Sequence, residues 1–324
     1  MLTVRRRLAL IGLALAALAV VPAAAGCSGG PAGPKPAATV VDPFSGGYPT
    51  YRDAATGITA ILGTPDLGVG TFRVAFALND RTGLIRFPAV AIETYYYSKP
   101  GGRPGGPVQR ASAEFFAFPD GTRGLYTAAL TFDRAGTWGL QVAIPRPDGT
   151  TPRMTLTFPV AQRAAAPGVG ETVPASRNRT ARNVASLAQL TTGSEPQPAL
   201  YQQTVAEALA ARQPFVVVFA SPAFCTNPLC GPQVEEVGEL AKQYAGRAGF
   251  IHVDLYEHPD QIKGDLSRAV RTPILKEWGL HTDEWTFVVG ADGRIAARFE
   301  AFVPRAVEGG LQFRALAAAP APGA

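Results

Sequence analysis

Between residues 40 and 162 the chain runs in short apolar stretches punctuated by turn formers. Thr71–Leu78 alternates apolar with small or polar residues and is followed by the turn Asn79-Asp80-Arg81-Thr82-Gly83. Val90–Tyr97 is β-branched and aromatic and closes at the Gly/Pro-rich stretch Pro100–Pro107. Ala113–Phe118, Gly124–Phe132, Thr137–Ile144 and Met154–Val160 follow, separated by Pro119-Asp120-Gly121, Asp133–Gly136 and Pro147-Asp148-Gly149. A period of two puts successive side chains on opposite faces, and about six or seven such runs without a helical period predict an antiparallel sandwich. Residues 163–184, with Ala164-Ala165-Ala166-Pro167-Gly168 and few large apolar side chains, read as a linker.

The period then changes. Thr204-Val205-Ala206-Glu207 has the form of a capping box, opening a helix through Leu209 to Ala211 that Pro214 stops. Phe215–Phe219 is an unbroken apolar run of the kind that fills a buried strand. Val234, Val237, Leu240, Ala241 and Tyr244 recur at helical spacing, with Glu235, Glu236 and Glu239 on the other side. Phe250–Asp254 predicts the next strand and Pro273–Leu280 a short helix, after a polar insertion. Trp285–Val289 and Arg294–Phe299 form a hairpin around Ala291-Asp292-Gly293.

A length of 324 residues suits about two domains. Gly and Pro make up about a fifth of the chain, below the roughly 25–30% of wholesale disorder. The formal charge of +5 falls to +2 without Arg5, Arg6 and Arg7, since no acid precedes residue 27. So small and unclustered an excess is a poor footprint for a phosphate backbone, and no nucleic acid is expected as a partner.

Those arginines precede the apolar run Leu8–Ala25, and Ala24-Ala25-Gly26-Cys27 follows. A basic start, an apolar core and small residues before a cut site read as an export signal. With the cysteine in that place, residues 1–26 resemble a bacterial lipoprotein signal peptide. The resemblance implies lipidation of Cys27 and anchoring at the extracytoplasmic face of the cell membrane. A plain signal peptide, a membrane anchor of marginal length and a loose twin-arginine signal are the rivals. Residues 27–39 then read as a flexible tether, and residues 316–324 as a disordered tail. If Cys27 carries lipid, Cys225 and Cys230 are the only pair left, in a compartment that permits disulfides.

Residues 40–162 contain neither His nor Cys, and their acids sit mostly in turns. Tyr95-Tyr96-Tyr97 is either a binding face or, more plainly, core and edge packing. Phe132–Leu140 resembles the late hairpin of immunoglobulin-like modules of exported bacterial proteins, which implies an immunoglobulin-like sandwich serving as spacer or docking module.

Residues 185–315 resemble the thioredoxin-like superfamily. The resemblance rests on a strand, a cysteine pair at a helix start, a strand ending in Asp254, a short helix ending in Trp278-Gly279-Leu280, and a hairpin with Asp-Gly. It implies an α/β three-layer domain and a dithiol–disulfide oxidoreductase, so the expected fold class is an all-β sandwich followed by that domain. A helix N-terminus favours the thiolate; Cys225 would then attack and Cys230 resolve the mixed disulfide. Exported protein thiols or disulfides and an unidentified redox partner are the implied partners, with no cofactor. Phe224, Glu284 and Trp285 take the substrate-groove positions.

The pair departs from the family pattern. Four residues separate the cysteines instead of two, Phe224 replaces Trp, Val218 replaces the buried Asp, and Glu284 replaces the cis-proline. On one continuous helix five residues turn about 500° and rise about 7.5 Å, too far to bridge. A disulfide therefore requires Cys225 to precede the helix, with Asn227-Pro228 as cap and first position. In another register Cys230-Gly231-Pro232-Gln233 matches the family motif with its second cysteine lost.

Three rival readings stand. Ser221–Gly231 resembles a peroxiredoxin subgroup with this spacing, although Pro222 occupies the place of its peroxide-binding Thr or Ser. Cys225 and Cys230 with His252, His258 or His281 could bind copper or zinc, yet no His lies at local ligand spacing. A binding module with a purely structural disulfide fits the composition equally well. Asp254 and Glu257 read as solvated turn residues before they read as catalytic acids, and Trp278 and Trp285 as packing.

Overall fold

The computed structural model describes residues 38–40, 48–99, 101–225 and 230–303. The first strands are β1 (Ala38–Val40), β2 (Thr50–Asp53), β3 (Ile58–Leu62), β4 (Gly70–Asp80), β5 (Gly83–Leu84), β6 (Ala89–Tyr97), β7 (Gln109–Ala117), β8 (Gly124–Phe132), β9 (Gly136–Ala143) and β10 (Arg153–Val160). They form one antiparallel sheet in the order β1-β2-β3-β4-β8-β7-β6-β9-β10, with β5 folded back on β4. The sheet curls until its ends approach. Tyr51 Oη on β2 donates to the Thr157 carbonyl on β10 at 2.9 Å, and Val69 and Ala161 N–H groups bond across at 3.1 and 3.0 Å.

This nearly closed barrel replaces the expected immunoglobulin-like sandwich of two facing sheets. The alternation fixed which side chains turn inward, and one wall curled on itself satisfies it as well as two walls do. The interior holds Val74, Phe76 and Leu78 of β4, Leu130 and Phe132 of β8, and Leu140 and Val142 of β9. Trp138 fills its middle, edge-on to Phe132 at 5.1 Å. Its Nε1–H donates to the Arg134 carbonyl at 3.0 Å, so the polar end of the ring is not stranded. Of the tyrosine run, Tyr95 and Tyr97 are buried and Tyr96 half-buried.

The later part contains α1 (Val205–Ala210), β11 (Phe215–Phe219), α2 (Cys230–Gln243), β12 (Gly249–Val253), β13 (Tyr256–Glu257), β14 (Val270–Arg271), α3 (Ile274–Glu277), β15 (Trp285–Val289) and β16 (Ile295–Glu300). A four-stranded sheet runs β12-β11-β15-β16. β12 is parallel to β11, and β15 and β16 are antiparallel. One face carries α2 with Leu190, Leu200 and Tyr201. The other is covered by α1, α3, Ala166 and Val173.

The three-layer α/β expectation is also overturned. The described residues are 37% strand and 16% helix, and among them α2 is the one helix longer than six residues. Thr204 caps α1 as its sequence predicts, with its side chain accepting from Glu207 N–H. The cover is mostly short turns and extended chain: Pro214 follows the end of α1, and Gly279, with a positive φ, follows the end of α3. Residues 170–172 line the start of β16, where Gly170 N–H bonds the Ile295 carbonyl and Ile295 N–H the Glu171 carbonyl, at 2.8 and 2.9 Å.

The end of β16 is fastened to the outer face of β4. Phe302 is fully buried against Ala75, Phe118 and Leu125, with the Phe118 ring 4.3 Å away. Arg73 donates to the carbonyls on either side of Ala301, at 3.2 Å to Glu300 and 2.8 Å to Phe302. Arg298 pairs with Asp66 at 2.9 Å, and Asp66 accepts the N–H groups of Ala165 and Ala166.

Candidate functional site

β11 is buried along its whole length and delivers the chain to a tight turn, Ser221–Cys225. Cys225 N–H donates to the Ser221 carbonyl at 2.9 Å. A disulfide joins Cys225 to Cys230, with Cα atoms 6.0 Å apart. Cys230 is the first residue of α2, so Cys225 does precede the helix; Asn227 and Pro228 lie outside the described residues.

The two sulfurs have different surroundings. Cys225 is half-buried, whereas Cys230 is fully buried in the core beneath α2. Cys230 Sγ lies 3.4 Å from the Asp283 carbonyl oxygen, an acceptor for the thiol once the bond is reduced. An external thiolate can therefore reach only Cys225.

The turn is tied down by Thr192, a residue that no motif or local pattern singles out. Thr192 Oγ1 donates to Asp254 Oδ2 at 3.0 Å and accepts the Ala223 N–H at 3.1 Å; Ser221 Oγ lies 2.9 Å from it. Thr192 N–H also donates to Asp254 Oδ2 at 2.7 Å, and Tyr256 N–H to Oδ1 at 3.1 Å. Asp254, expected as a solvated turn residue, is buried. Burial pushes its carboxyl up to about 6, against the pull of these hydrogen bonds.

His252 is buried with both ring nitrogens engaged. Tyr201 Oη is 2.7 Å from Nδ1 and the Ala220 carbonyl 2.9 Å from Nε2. A neutral ring accepting at Nδ1 and donating at Nε2 satisfies both, and burial pushes its pKa down to about 4. His258 adopts a left-handed backbone beside Arg179, and His281 is exposed. Among the described residues no group of three or more His, Cys, Asp or Glu comes together to hold a metal.

The groove positions divide. Phe224 is half-buried beside Cys225, but Glu284 and Trp285 are fully buried and offer no surface to a substrate. The correction follows from the seam: β16 and β4 close over the start of β15. Trp285 stacks on Phe287 at 5.6 Å under the Arg298 guanidinium. Neither Glu284 carboxyl oxygen has a hydrogen-bond partner among the described residues. Burial pushes this acid up to about 8; Arg73 opposes the shift and Asp283 adds to it. Glu300 is also raised to about 8 by burial, although Thr282 Oγ1 and Asp66 N–H donate to it at 2.6 and 3.1 Å. Trp278 is core, its Nε1–H bonded to Ser176 Oγ at 2.9 Å.

A trough of about 1050 Å³ begins at Pro222, Ala223 and Gly231 and runs between α2 and residues 191–199. Cys27 lies outside the described residues. Among the described residues no helix is long and apolar enough to cross a membrane. No family model, curated protein or solved structure matches the chain.

Proposed function

We propose that the chain is a thiol–disulfide oxidoreductase held at the extracytoplasmic membrane face by lipid on Cys27, acting on exported proteins through Cys225 and Cys230. The observation that supports this reading is the asymmetry of the pair: Cys225 is half-buried ahead of the helix, while Cys230, its first residue, is fully buried in the core. A substrate thiolate attacks Cys225 Sγ, the Cys225–Cys230 bond breaks, and the electron pair leaves on Cys230, which takes up a proton. A second substrate thiolate then attacks the substrate sulfur of the mixed disulfide and expels Cys225 as thiolate. The substrate is oxidised by two electrons and the protein reduced by two. The reverse sequence reduces a substrate disulfide, and a second redox partner resets the pair.

The test is the reduction potential of the pair in the chain beginning at Ser28, equilibrated in thiol buffers, alkylated and weighed. A midpoint between roughly −120 and −270 mV, where working oxidoreductases lie, is expected. A midpoint below about −300 mV overturns the reading in favour of a structural staple. Anchoring is tested separately: Cys27→Ser is expected to move the full-length protein out of the membrane fraction, and retention there overturns lipid attachment.

A further inference from the structure

The trough beside the disulfide has a charge opposite to that of the chain as a whole. Glu195 on one wall and Glu235, Glu236 and Glu239 on α2 line it, and the one cation among its lining residues, Lys242, is ion-paired with Glu239 at 2.5 Å. The chain without residues 1–26 carries +2, so the acidic character belongs to this trough and not to the average surface. Glu235 and Glu239 stand about one helical turn apart, about 6 Å along the axis; Lys242 holds Glu239, and Glu235 is exposed. The Gln197 side chain of the opposite wall rests on Gly238 of α2, and Pro196 and Pro198 flank that contact. The near end is the cysteine turn itself, at Ala223 and Gly231. The wall is tied to that turn through the Thr192 bonds to Ala223 and Asp254.

We propose, resting on the thiol-exchange reading, that this trough seats an extended, lysine- or arginine-bearing segment of the exported polypeptide whose cysteine reacts at Cys225. Its open, elongated form takes a chain in extended conformation. Its exposed carboxylates Glu195 and Glu235 pair with cations on that chain and turn away acidic segments and anionic lipid. Pro119, from the turn between β7 and β8, also lines the trough, so the large sheet contributes to seating the substrate.

Binding and exchange are separated by two peptides in the test. The first is a fluorescent lysine-flanked peptide with Ser in place of its Cys, titrated into the oxidised chain from Ser28 and followed by anisotropy. A glutamate-flanked peptide of the same length is the comparison. The lysine peptide is expected to bind at least about tenfold more tightly at about 20 mM salt, and the gap is expected to shrink at about 500 mM. Glu195→Lys with Glu235→Lys, both exposed positions, is expected to abolish the preference. The second measurement is exchange: Cys-containing versions are expected to form the mixed disulfide in the same order, while reduction by dithiothreitol, a neutral dithiol, is unchanged by the double variant. Equal binding of the two Ser peptides, or a preference that survives the double variant, overturns the docking proposal whatever the exchange rates. A lysine preference in binding together with a midpoint below the range of working oxidoreductases leaves the trough standing and removes the exchange reading beneath it.

Discussion

Thr192 and Asp254 are 62 residues apart, and no local pattern joins them, yet together they hold the turn that carries Cys225. A carboxylate in a nearly dry place keeps its charge only when donors face it, and here Thr192 supplies two. Thr192→Val removes the hydroxyl and leaves Ala223 N–H without its acceptor. The expected loss is about 1–3 kcal/mol of stability, with faster hydrogen exchange at Ala223 and Cys225. Unchanged exchange at these two amides would show that the turn is held by other contacts. Protonation acts on the same place in two directions. The folded-state pKa of Asp254 is raised to about 6 from 3.8, so its effect is a stability that declines as pH rises between those values. His252 is lowered to about 4 from 6.5, so its effect is a stability that rises over roughly pH 4 to 6.5. Asp254→Asn is expected to remove the falling contribution of this residue between about pH 3.8 and 6, read as the difference between variant and wild-type curves of folding free energy, and a difference that does not change with pH would contradict the assignment. The cysteine pair was legible because residue type and placement after a strand state the chemistry directly. Thr192 was not, because its role comes from a fold-level encounter.

At the scale of elements, β4 and β6 to β10 of the large sheet were readable, whereas β1 to β3 and the short β5 were not. Val74, Phe76 and Leu78 sit inside as their alternation requires, and the turns at Pro119–Gly121 and Pro147–Gly149 fall between strands. The start of β15 was not readable. Glu284 stands in front of the buried strand Trp285–Val289, and its expected place at an open groove became a sealed seam because β16 returns across β4 and brings Phe302 with it. A carboxyl without hydrogen-bond partners is tolerated there when it is neutral. With a folded pKa near 8 against 4.5 unfolded, the folded state holds its proton more firmly, so stability falls as pH rises from about 4.5 to about 8. Glu284→Gln keeps the shape and removes the titration. It is expected to be nearly neutral at about pH 5 and stabilising by about 2 kcal/mol or more at about pH 9, read from urea midpoints at both pH values. Equal effects at the two pH values would mean that the acid does not titrate in this range.

Over the whole molecule, local patterns left open how the strands assemble. Alternation alone does not decide whether β4 to β10 make two walls or one curled wall, because that depends on which distant strands pair, as Gly70–Phe76 does with Phe132–Tyr126. Nor does any sequence signal state that the small sheet is clamped to the large one. That clamp rests on few side chains: Phe302 on the patch of Ala75, Phe118 and Leu125, the Arg73 fork on the carbonyls around Ala301, and the Arg298–Asp66 pair. Ala301 holds a positive φ of 61° between those two carbonyls, a conformation that costs an alanine about 1 kcal/mol or more and persists because the surrounding contacts fix it. Removing the ring with Phe302→Ala takes out the central apolar contact, at an expected cost of about 3–5 kcal/mol. If the clamp is what makes the two sheets unfold together, calorimetry of the variant will split one transition into two, with the disulfide-bearing sheet melting first because its cover is made of short helices and turns. A single transition moved to lower temperature would instead show that the contacts of residues 163–173 with Asp66 and β16 suffice to couple the sheets, and Asp66→Ala would then be the variant that separates them.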